Sequence, residues 1–110
     1  MEDEPALPFN QAARCLADLG HPHRLQAFQM LVRAGEAGLA VGEIERALNI
    51  PRSTLAHHLA QLVASGLIGQ TREGRIQRCR VDAARTRAVL AVLGGCCEGL
   101  PGLPGEFLKA

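Results

Sequence analysis

Arginine side chains are concentrated in one part of the chain. Residues 52–87 contain seven Arg and two acidic residues, so this segment carries a charge of +5, whereas residues 1–51 carry −3 and residues 88–110 carry −1. Guanidinium groups form bidentate hydrogen bonds with phosphates and with guanine. A local basic segment within a protein of net charge +1 is therefore a candidate nucleic-acid contact. A solvated arginine face is the alternative.

Polar side chains after Pro51 have the spacing of an exposed helix face. A helix over 51–64 would bury Leu55 and Leu59 and leave the other side of its first two turns exposed. We predict that nucleic acid is contacted by this side and by two arginines that flank a hairpin tip: Arg52, Ser53, Thr54, Ala56, His57, Arg72 and Arg75. Helix capping is the alternative role of the two hydroxyl groups. We predict a solvated strand face for Arg78 and Arg80.

Adjacent histidines raise the question of a metal site. His57 and His58 would point about a hundred degrees apart on a helix, and no second ligand pair lies at a useful spacing, so we expect no metal site there. His58 is three residues after Leu55, which favours a partly buried, hydrogen-bonded side chain. We predict that His21 lies at the entry of a helix and that His23 is an exposed neighbour.

A small aliphatic domain must position these side chains. The 110 residues are 47% hydrophobic, with no Trp or Tyr and three Phe, which predicts one packed domain and disfavours base stacking on aromatic rings. No apolar run approaches the ~18–20 residues of a membrane span, and the acidic start is unlike a signal peptide. We therefore expect a cytoplasmic protein with no membrane partner and with reduced cysteines.

The apolar spacing predicts five helices and two strands. The helices span about 11–19, 22–34, 41–48, 51–64 and 83–97, and strands over 67–72 and 75–81 flank a turn at Glu73-Gly74. Several side chains are predicted to face the core of these helices: Leu25, Phe28, Leu31, Val32, Ile44, Ala47, Leu48, Leu55, Leu59, Leu62 and Val63. The Pro/Gly-rich segment 99–110 is predicted to be a flexible tail after a domain over 1–98. This order predicts a mainly α winged helix-turn-helix with a small β-hairpin.

Four stretches of the sequence resemble the ArsR/SmtB family of bacterial winged-helix repressors. They are Leu19-Gly-His-Pro-His-Arg-Leu25, Ile50-Pro-Arg-Ser-Thr-Leu-Ala-His-His-Leu59, Ser65-Gly-Leu-Ile68 and Arg72-Glu-Gly-Arg75. The resemblance implies a non-enzymatic homodimer that binds double-stranded operator DNA and is released by an inducer at thiols or metal ligands. It further implies dimerisation through the first and last helices. Apolar stripes on those helices are the candidate contacts: Ala12, Leu16, Leu19, Val89, Val92 and Leu93.

Two metal sites typical of this family have no counterpart in the sequence. The stretch 39–44 lacks the thiols that many relatives carry on their third helix, and residues 83–97 contain no His for a zinc site between the last helices. We therefore do not expect zinc, nickel or cobalt to be sensed through those sites.

Adjacent cysteines at the end of the last helix are the remaining candidate sensor. Cys96 and Cys97 can present two thiolates to one soft ion, and As(III) or Sb(III) suits such a pair because a trivalent centre takes three sulfurs. We predict Cys15, offered across the dimer, as the third ligand. Its alternative role is that of a small buried hydrophobic residue. Cys79 alternates with Val81 and is predicted to be structural.

Three other functions compete with a metalloid-responsive repressor. In a thiol-redox or persulfide sensor of the same fold, oxidation of Cys96 or Cys97 would release DNA. A thiol enzyme is disfavoured because no His or acid is placed to activate Cys97. A winged-helix module that binds only proteins would show no salt-dependent DNA binding.

Overall fold

The computed structural model describes residues 6–96, with side chains up to Gly94. Within this range the five predicted helices and two predicted strands occur in the predicted order, which confirms the winged helix-turn-helix; a third short strand and a 3-10 turn are also present. In chain order these are α1 (Phe9–Leu19), α2 (Pro22–Ala34), the 3-10 turn (Gly35–Ala37), β1 (Leu39–Ala40), α3 (Val41–Leu48), α4 (Arg52–Ala64), β2 (Ile68–Glu73), β3 (Ile76–Val81) and α5 (Ala83–Cys96). The predicted tail over 99–110 lies outside the described residues. No described helix has the length and hydropathy to span a membrane.

The ends of the helices follow from local chemistry. Pro22 occupies the first turn of α2, where its missing N–H costs no hydrogen bond. Helix α4 ends in a Schellman motif, in which the backbone N–H of Leu67 donates to the carbonyl of Leu62 at 3.0 Å. Gly66 has a φ of +81° there, a conformation that favours glycine. The turn between α3 and α4 is closed by Asn49, which is also left-handed.

The wing contains one strand more than the sequence predicts. Strands β2 and β3 form the predicted hairpin, and the two-residue strand β1 pairs antiparallel with the other edge of β3, with Leu39 opposite Cys79. The predicted turn at Glu73-Gly74 is shifted by one residue, because Glu73 pairs with Ile76 as the last residue of β2. The turn therefore consists of Gly74 and Arg75, and Gly74 takes the positive φ of +66° that the tight connection requires.

The core is aliphatic and lies between the helices and one face of the sheet. Its largest fully buried side chains are Leu31, Ile44, Leu55, Leu59, Leu62 and Leu67. Four side chains predicted to face inward are instead exposed: Leu25 (43%), Val32 (52%), Ala47 and Val63. On α2 the buried residues are Ala27, Phe28 and Leu31, so Leu25 and Val32 lie outside this narrower stripe.

Helices α1 and α5 pack against each other within one chain. Ala12 and Val89, predicted to lie in a dimer interface, are buried in the core of the protomer itself. The prediction that a domain this small leaves them for a partner is therefore wrong. Phe9 of α1 and Leu90 and Leu93 of α5 remain exposed.

Candidate nucleic-acid interface

The exposed face of α4 carries the side chains that the sequence singles out. Arg52, Ser53, Thr54, Ala56 and His57 are all exposed, whereas Leu55 and Leu59 on the opposite side are buried. The N-cap position is occupied by Pro51, which makes no side-chain cap bond. The hydroxyls of Ser53 and Thr54 therefore do not act as the N-cap of α4, and the capping alternative is not supported.

Arginines at the tip of the wing extend this surface. Arg72 lies near the end of β2 and Arg75 lies in the turn, and both side chains are exposed. The Arg72 Nε donates to the carbonyl oxygen of Gly74 at 3.1 Å, which directs this side chain along the turn.

One groove connects α4 to the wing. It has a volume of about 340 Å³ and lies between the start of α3 and the hairpin. Four arginines line it: Arg46, Arg52, Arg72 and Arg75. Gly42 also lines it, and a β-carbon there would be in ordinary van der Waals contact with Arg46 Nη1 at 3.6 Å and Arg52 Nη2 at 3.7 Å. Arg46 is a candidate contact that the sequence analysis missed, because it belongs to the acidic first half of the chain.

Within this groove Arg52 is held by an acid of the neighbouring helix. Its Nε and Nη2 atoms both lie 2.6 Å from Oε1 of Glu45 on α3. The Arg52 side chain is nevertheless 60% exposed, so the ion pair sits at the surface and is weakened by solvent. The carboxylate of Glu43 is engaged separately, accepting a 2.8 Å hydrogen bond from the backbone N–H of Ala40.

Arg78 and Arg80 do not form the solvated strand face that was predicted. Both donate to the carboxylate of Glu73, at 2.8 Å and 3.0 Å, and Arg80 Nε also donates to the carbonyl of Glu36 at 2.8 Å. Hydrogen bonds from Arg78 and then Arg80 lower the pKa of Glu73 below its ordinary value of 4.5. These two arginines therefore brace the wing against the 3-10 turn.

Three histidines from two helices lie together beside the interface. His21 and His23 at the start of α2 approach His58 of α4, with ring centroids 4.3 Å and 5.7 Å from it. His58 is 6% exposed and its Nδ1 accepts a 3.2 Å hydrogen bond from Arg24 Nε, which confirms the predicted buried, hydrogen-bonded histidine. Burial and then the charge of His21 lower the pKa of His58.

His23 is half-buried, so the prediction that it is an exposed neighbour is wrong. No spacing pattern in the sequence indicates this cluster, because His58 is 35 residues from His23 along the chain.

The two cysteines whose side chains the structure describes are both buried. Cys15 is 1% exposed, and its Sγ donates to the carbonyl oxygen of Ser65 at 3.3 Å. Cys79 is fully buried in the sheet, as predicted, and burial raises the pKa of its thiol. Cys96 is the last residue of α5, and its side chain and the whole of Cys97 lie outside the described residues.

The carboxyl end of α4 is contacted by both terminal helices. The Cys15 thiol ties α1 to Ser65, and the Ser65 hydroxyl donates to the carbonyl of Leu62 at 3.0 Å. From α5, the Arg85 guanidinium packs over Gly66, about 3.1 Å from where a β-carbon would lie. The end of α4 is therefore in direct contact with both α1 and α5.

Comparisons with known proteins agree with this architecture. Residues 19–70 match the model of a family described as "Helix-turn-helix domain". The transcriptional repressor BigR from Xylella fastidiosa is similar at 31% identity, covering 76% of this chain and 86% of that one, with a TM-score of 0.61. A homodimeric winged helix-turn-helix DNA-binding domain from Mycobacterium bovis, described as a possible ArsR-family regulator, is 25% identical over 94% of this chain and 97% of that one (TM-score 0.64). Reduced HlyU from Vibrio cholerae is 26% identical over 76% and 88% of the two chains (TM-score 0.61). A search of curated proteins found no match.

Proposed function

Because the chain belongs to the ArsR family of winged helix-turn-helix transcriptional regulators, we propose that it is a repressor that binds operator DNA as a homodimer. The observation that carries this proposal is the groove shared by α4 and the wing, which four arginines line. A double helix presents two rows of phosphates beside a groove of base edges, and a helix followed by a basic hairpin matches that arrangement.

The exposed start of α4 is suited to the major groove. Arg52 would donate two hydrogen bonds to guanine, while the hydroxyls of Ser53 and Thr54 would bond to bases or phosphates. His57, one turn further along, would donate to a phosphate. Arg72 and Arg75 would then contact the backbone or the adjacent minor groove from the wing, and Arg46 would add a phosphate contact beside α3.

Dimerisation is supported by exposed apolar side chains on the terminal helices. Phe9 is 68% exposed on α1, and Leu90 and Leu93 are exposed on α5, the helix packed against it. The Mycobacterium bovis domain, similar over nearly the whole chain, is homodimeric. Two protomers paired in this way would place two α4 helices on half-sites about 34–36 Å apart, one turn of DNA.

DNA binding is tested by measuring the affinity of the wild type and of matched arginine variants for the DNA segment upstream of the protein's own gene. Arg52→Ala should weaken operator binding about tenfold or more and reduce discrimination against changed bases. Arg87→Ala is the control, because Arg87 is exposed on α5 and lines a different cavity, between α2 and α5. Equal affinities of the two variants, or binding that does not weaken with salt, would contradict the proposal.

For the inducer, we propose As(III) or Sb(III) bound by the thiolates of Cys96 and Cys97. The support is chemical: two adjacent thiols suit a soft trivalent ion, and both cysteines described elsewhere in the fold are buried. Each sulfur that binds As(OH)₃ replaces one hydroxide, and the thiol proton leaves with it as water. Cys15 stays the proposed third ligand, and to serve it must leave the carbonyl of Ser65.

Release of DNA would follow from the contacts at the end of α4. Drawing the end of α5 toward a third sulfur would shift Arg85 over Gly66, and recruiting Cys15 would break its bond to Ser65. Either change rotates α4 relative to its partner in the dimer. Converting a population from 99% DNA-competent to 1% requires the ion to favour the released form by about 5.5 kcal/mol.

The sensor is tested by titrating the reduced protein on its DNA with arsenite. Wild type should dissociate, and the double variant Cys96→Ser, Cys97→Ser should stay bound. Cys79→Ala, which removes a buried thiol of the wing, is the matched control and should still respond. Cys15→Ala tests whether Cys15 is a ligand or only a packing residue. A variant that binds DNA with unchanged affinity but is no longer released by arsenite supports the role of Cys15 as a ligand. Release of the double variant by arsenite would overturn the assignment.

A thiol-redox or persulfide signal is the second candidate. It is favoured by the similarity to HlyU, whose structure is specified as the reduced form. The two candidates differ in their reagents, since a redox sensor dissociates with peroxide or a persulfide donor and recovers with a reductant alone. Including these reagents in the arsenite titration decides between them.

A further inference from the structure

We propose that His21, His23 and His58 form a binding site for a first-row divalent transition-metal ion, such as Zn²⁺. The site is separate from the cysteine sensor and from the DNA-contacting face of α4. One nitrogen from each of the three rings lies within 4.8 Å of the others. Imidazole nitrogen is a preferred ligand of Zn²⁺, Ni²⁺ and Cu²⁺, and three histidines with an open fourth position form a known zinc arrangement.

The rings need only a small movement to reach bonding geometry. Zinc–nitrogen bonds of about 2.0–2.1 Å in a tetrahedron place the nitrogens about 3.3 Å apart. The nitrogens must therefore approach each other by about 1.5 Å at most. His21 and His23 are half-buried at the first turn of α2, so rotation of their side chains can supply this movement against the fixed ring of His58.

Two hydrogen bonds hold the rings of the cluster, and both must be exchanged when an ion binds. Nδ1 of His21 accepts from the backbone N–H of His23 at 3.1 Å, which places the proton of the neutral ring on Nε2, so this bond breaks when His21 ligates through Nε2. His58 accepts from Arg24 through Nδ1, and this bond must break when His58 takes the tautomer that ligates.

Arg24 has a second partner that makes this exchange feasible. Its Nη1 lies 3.4 Å from the carbonyl oxygen of Asp18 and 3.7 Å from the Asp18 carboxylate. The guanidinium therefore keeps a counter-ion on α1 when it releases His58. Asp18 also compensates the charge of Arg24, which otherwise opposes a bound cation.

A metal at this site would link the start of α2 to the second turn of α4. His58 is adjacent to His57, a proposed phosphate contact, so the ion would fix the helix that carries the DNA-contacting side chains. An ion that binds only the folded chain also raises the melting temperature as its concentration increases. This inference does not depend on the identity of the inducer, because As(III) selects thiolates and this site offers only nitrogen.

The test uses the full-length chain with Co²⁺ as a spectroscopic probe and Zn²⁺ as a competitor. The background is Cys96→Ser, Cys97→Ser, so that this thiol pair does not contribute. We expect visible d–d absorption with no thiolate-to-cobalt charge transfer, and displacement of Co²⁺ by Zn²⁺. His23→Gln should weaken the affinity at least tenfold. His57→Gln, an exposed histidine on the same helix outside the cluster, should bind as tightly as the parent.

His23 is chosen because it is half-buried, whereas replacing the buried His58 would disturb the core. In the parent background, NMR of the imidazole groups should show Zn²⁺-induced shifts for His21, His23 and His58 but not for His57. Equal cobalt affinities of the His23 and His57 variants, or shifts confined to His57, would overturn the proposal. Failure of the DNA or arsenite experiments would leave these outcomes unchanged, so the two proposals fail separately.

Discussion

The guanidinium of Arg52 at the start of α4 lies 2.6 Å from the carboxylate of Glu45 on α3. The residue best suited to read a guanine is thus paired with an acid of its own chain in the protein without DNA. The pair positions Arg52 at the mouth of the groove, and it also competes with any phosphate or base that Arg52 would contact.

Glu45→Gln should therefore tighten DNA binding. A surface ion pair contributes about 0.2–1 kcal/mol, so its removal predicts an increase in affinity of about 1.4- to fivefold. The loss of a negative charge near the phosphates acts in the same direction. Fluorescence anisotropy with a labelled operator measures the effect. The variant Glu45→Gln, Arg52→Ala is the control and should lose most of the increase, and weaker binding of Glu45→Gln would show that the acid instead orients Arg52 for the base.

The two wing arginines should contribute through phosphates. Arg72→Ala and Arg75→Ala should each weaken binding to operator and unrelated DNA by similar factors. Each should reduce the slope of log K against log salt by about one. The control is Arg33→Ala, at the exposed last turn of α2. Titrations at several salt concentrations measure the slopes, and slopes identical to that of wild type would remove the wing from the interface.

Gly38 should be the glycine that tolerates substitution least. Its φ is +66°, and a β-carbon there would lie 2.3 Å from the backbone oxygen of Cys79. Gly35 has nearly the same φ, +64°, but nothing within 4 Å. Gly35→Ala should cost about 1–3 kcal/mol for the positive-φ backbone conformation alone. Gly38→Ala should cost clearly more, because the strand β3 must move as well. Urea denaturation of both variants measures the difference, and equal costs would contradict the close approach.

A fall in pH should reduce the stability of the wing more in the wild type than in a variant without Glu73. The hydrogen bonds from Arg78 and Arg80 lower the pKa of Glu73 in the folded protein. This contribution to stability is present above the unfolded value of 4.5 and is lost as the pH falls through the lower folded value. Hydrogen exchange of wing amides across this range should show the loss in wild type and in Glu36→Gln, an exposed acid of the 3-10 turn. In Glu73→Gln the exchange should change less with pH.

Dimerisation should depend on exposed apolar residues of the terminal helices. Leu93→Glu places a charge on α5, where Leu90 and Leu93 are exposed, and should shift the protein toward monomer. Val63→Glu changes a similarly exposed side chain on α4 and is the matched control. Sedimentation equilibrium measures the dissociation constant, which should rise at least tenfold for the first variant only. If both variants dimerise as wild type does, the interface lies elsewhere.

The order of elements was predictable because each boundary has a local signal. Pro22 begins α2, Ser65-Gly66 ends α4, and the alternation after Leu67 marks the hairpin. Strand β1 was missed because two residues carry no periodicity, and it exists only through its pairing with β3. The burial of Ala12 and Val89 was misassigned for a related reason, since the sequence cannot distinguish a stripe that packs within the chain from one that packs on a partner.

The α4 part of the candidate interface was predictable, and its surroundings were not. Exposed residues on one helix follow from a period of 3.6 residues, so the face with Arg52 and His57 is correctly placed. Arg46 lines the groove from another helix, Glu45 of the same helix pairs with Arg52, and His21 approaches His58 only in the folded chain. Contacts between elements of this kind leave no spacing pattern in the sequence.

Strand β1 joins the segment before α3 to the wing, since Leu39 and Ala40 are paired with Cys79 and Arg78. The hairpin is thus joined through β1 to the segment that leads into α3 and α4. In the proposed DNA complex, the fold then sets the distance between the bases that α4 contacts and the sugar–phosphate backbone that the wing contacts. An operator with a base pair inserted or deleted between these two places would lose either the contact with α4 or the contact with the wing. We therefore expect the protein fold to set the length of each half-site.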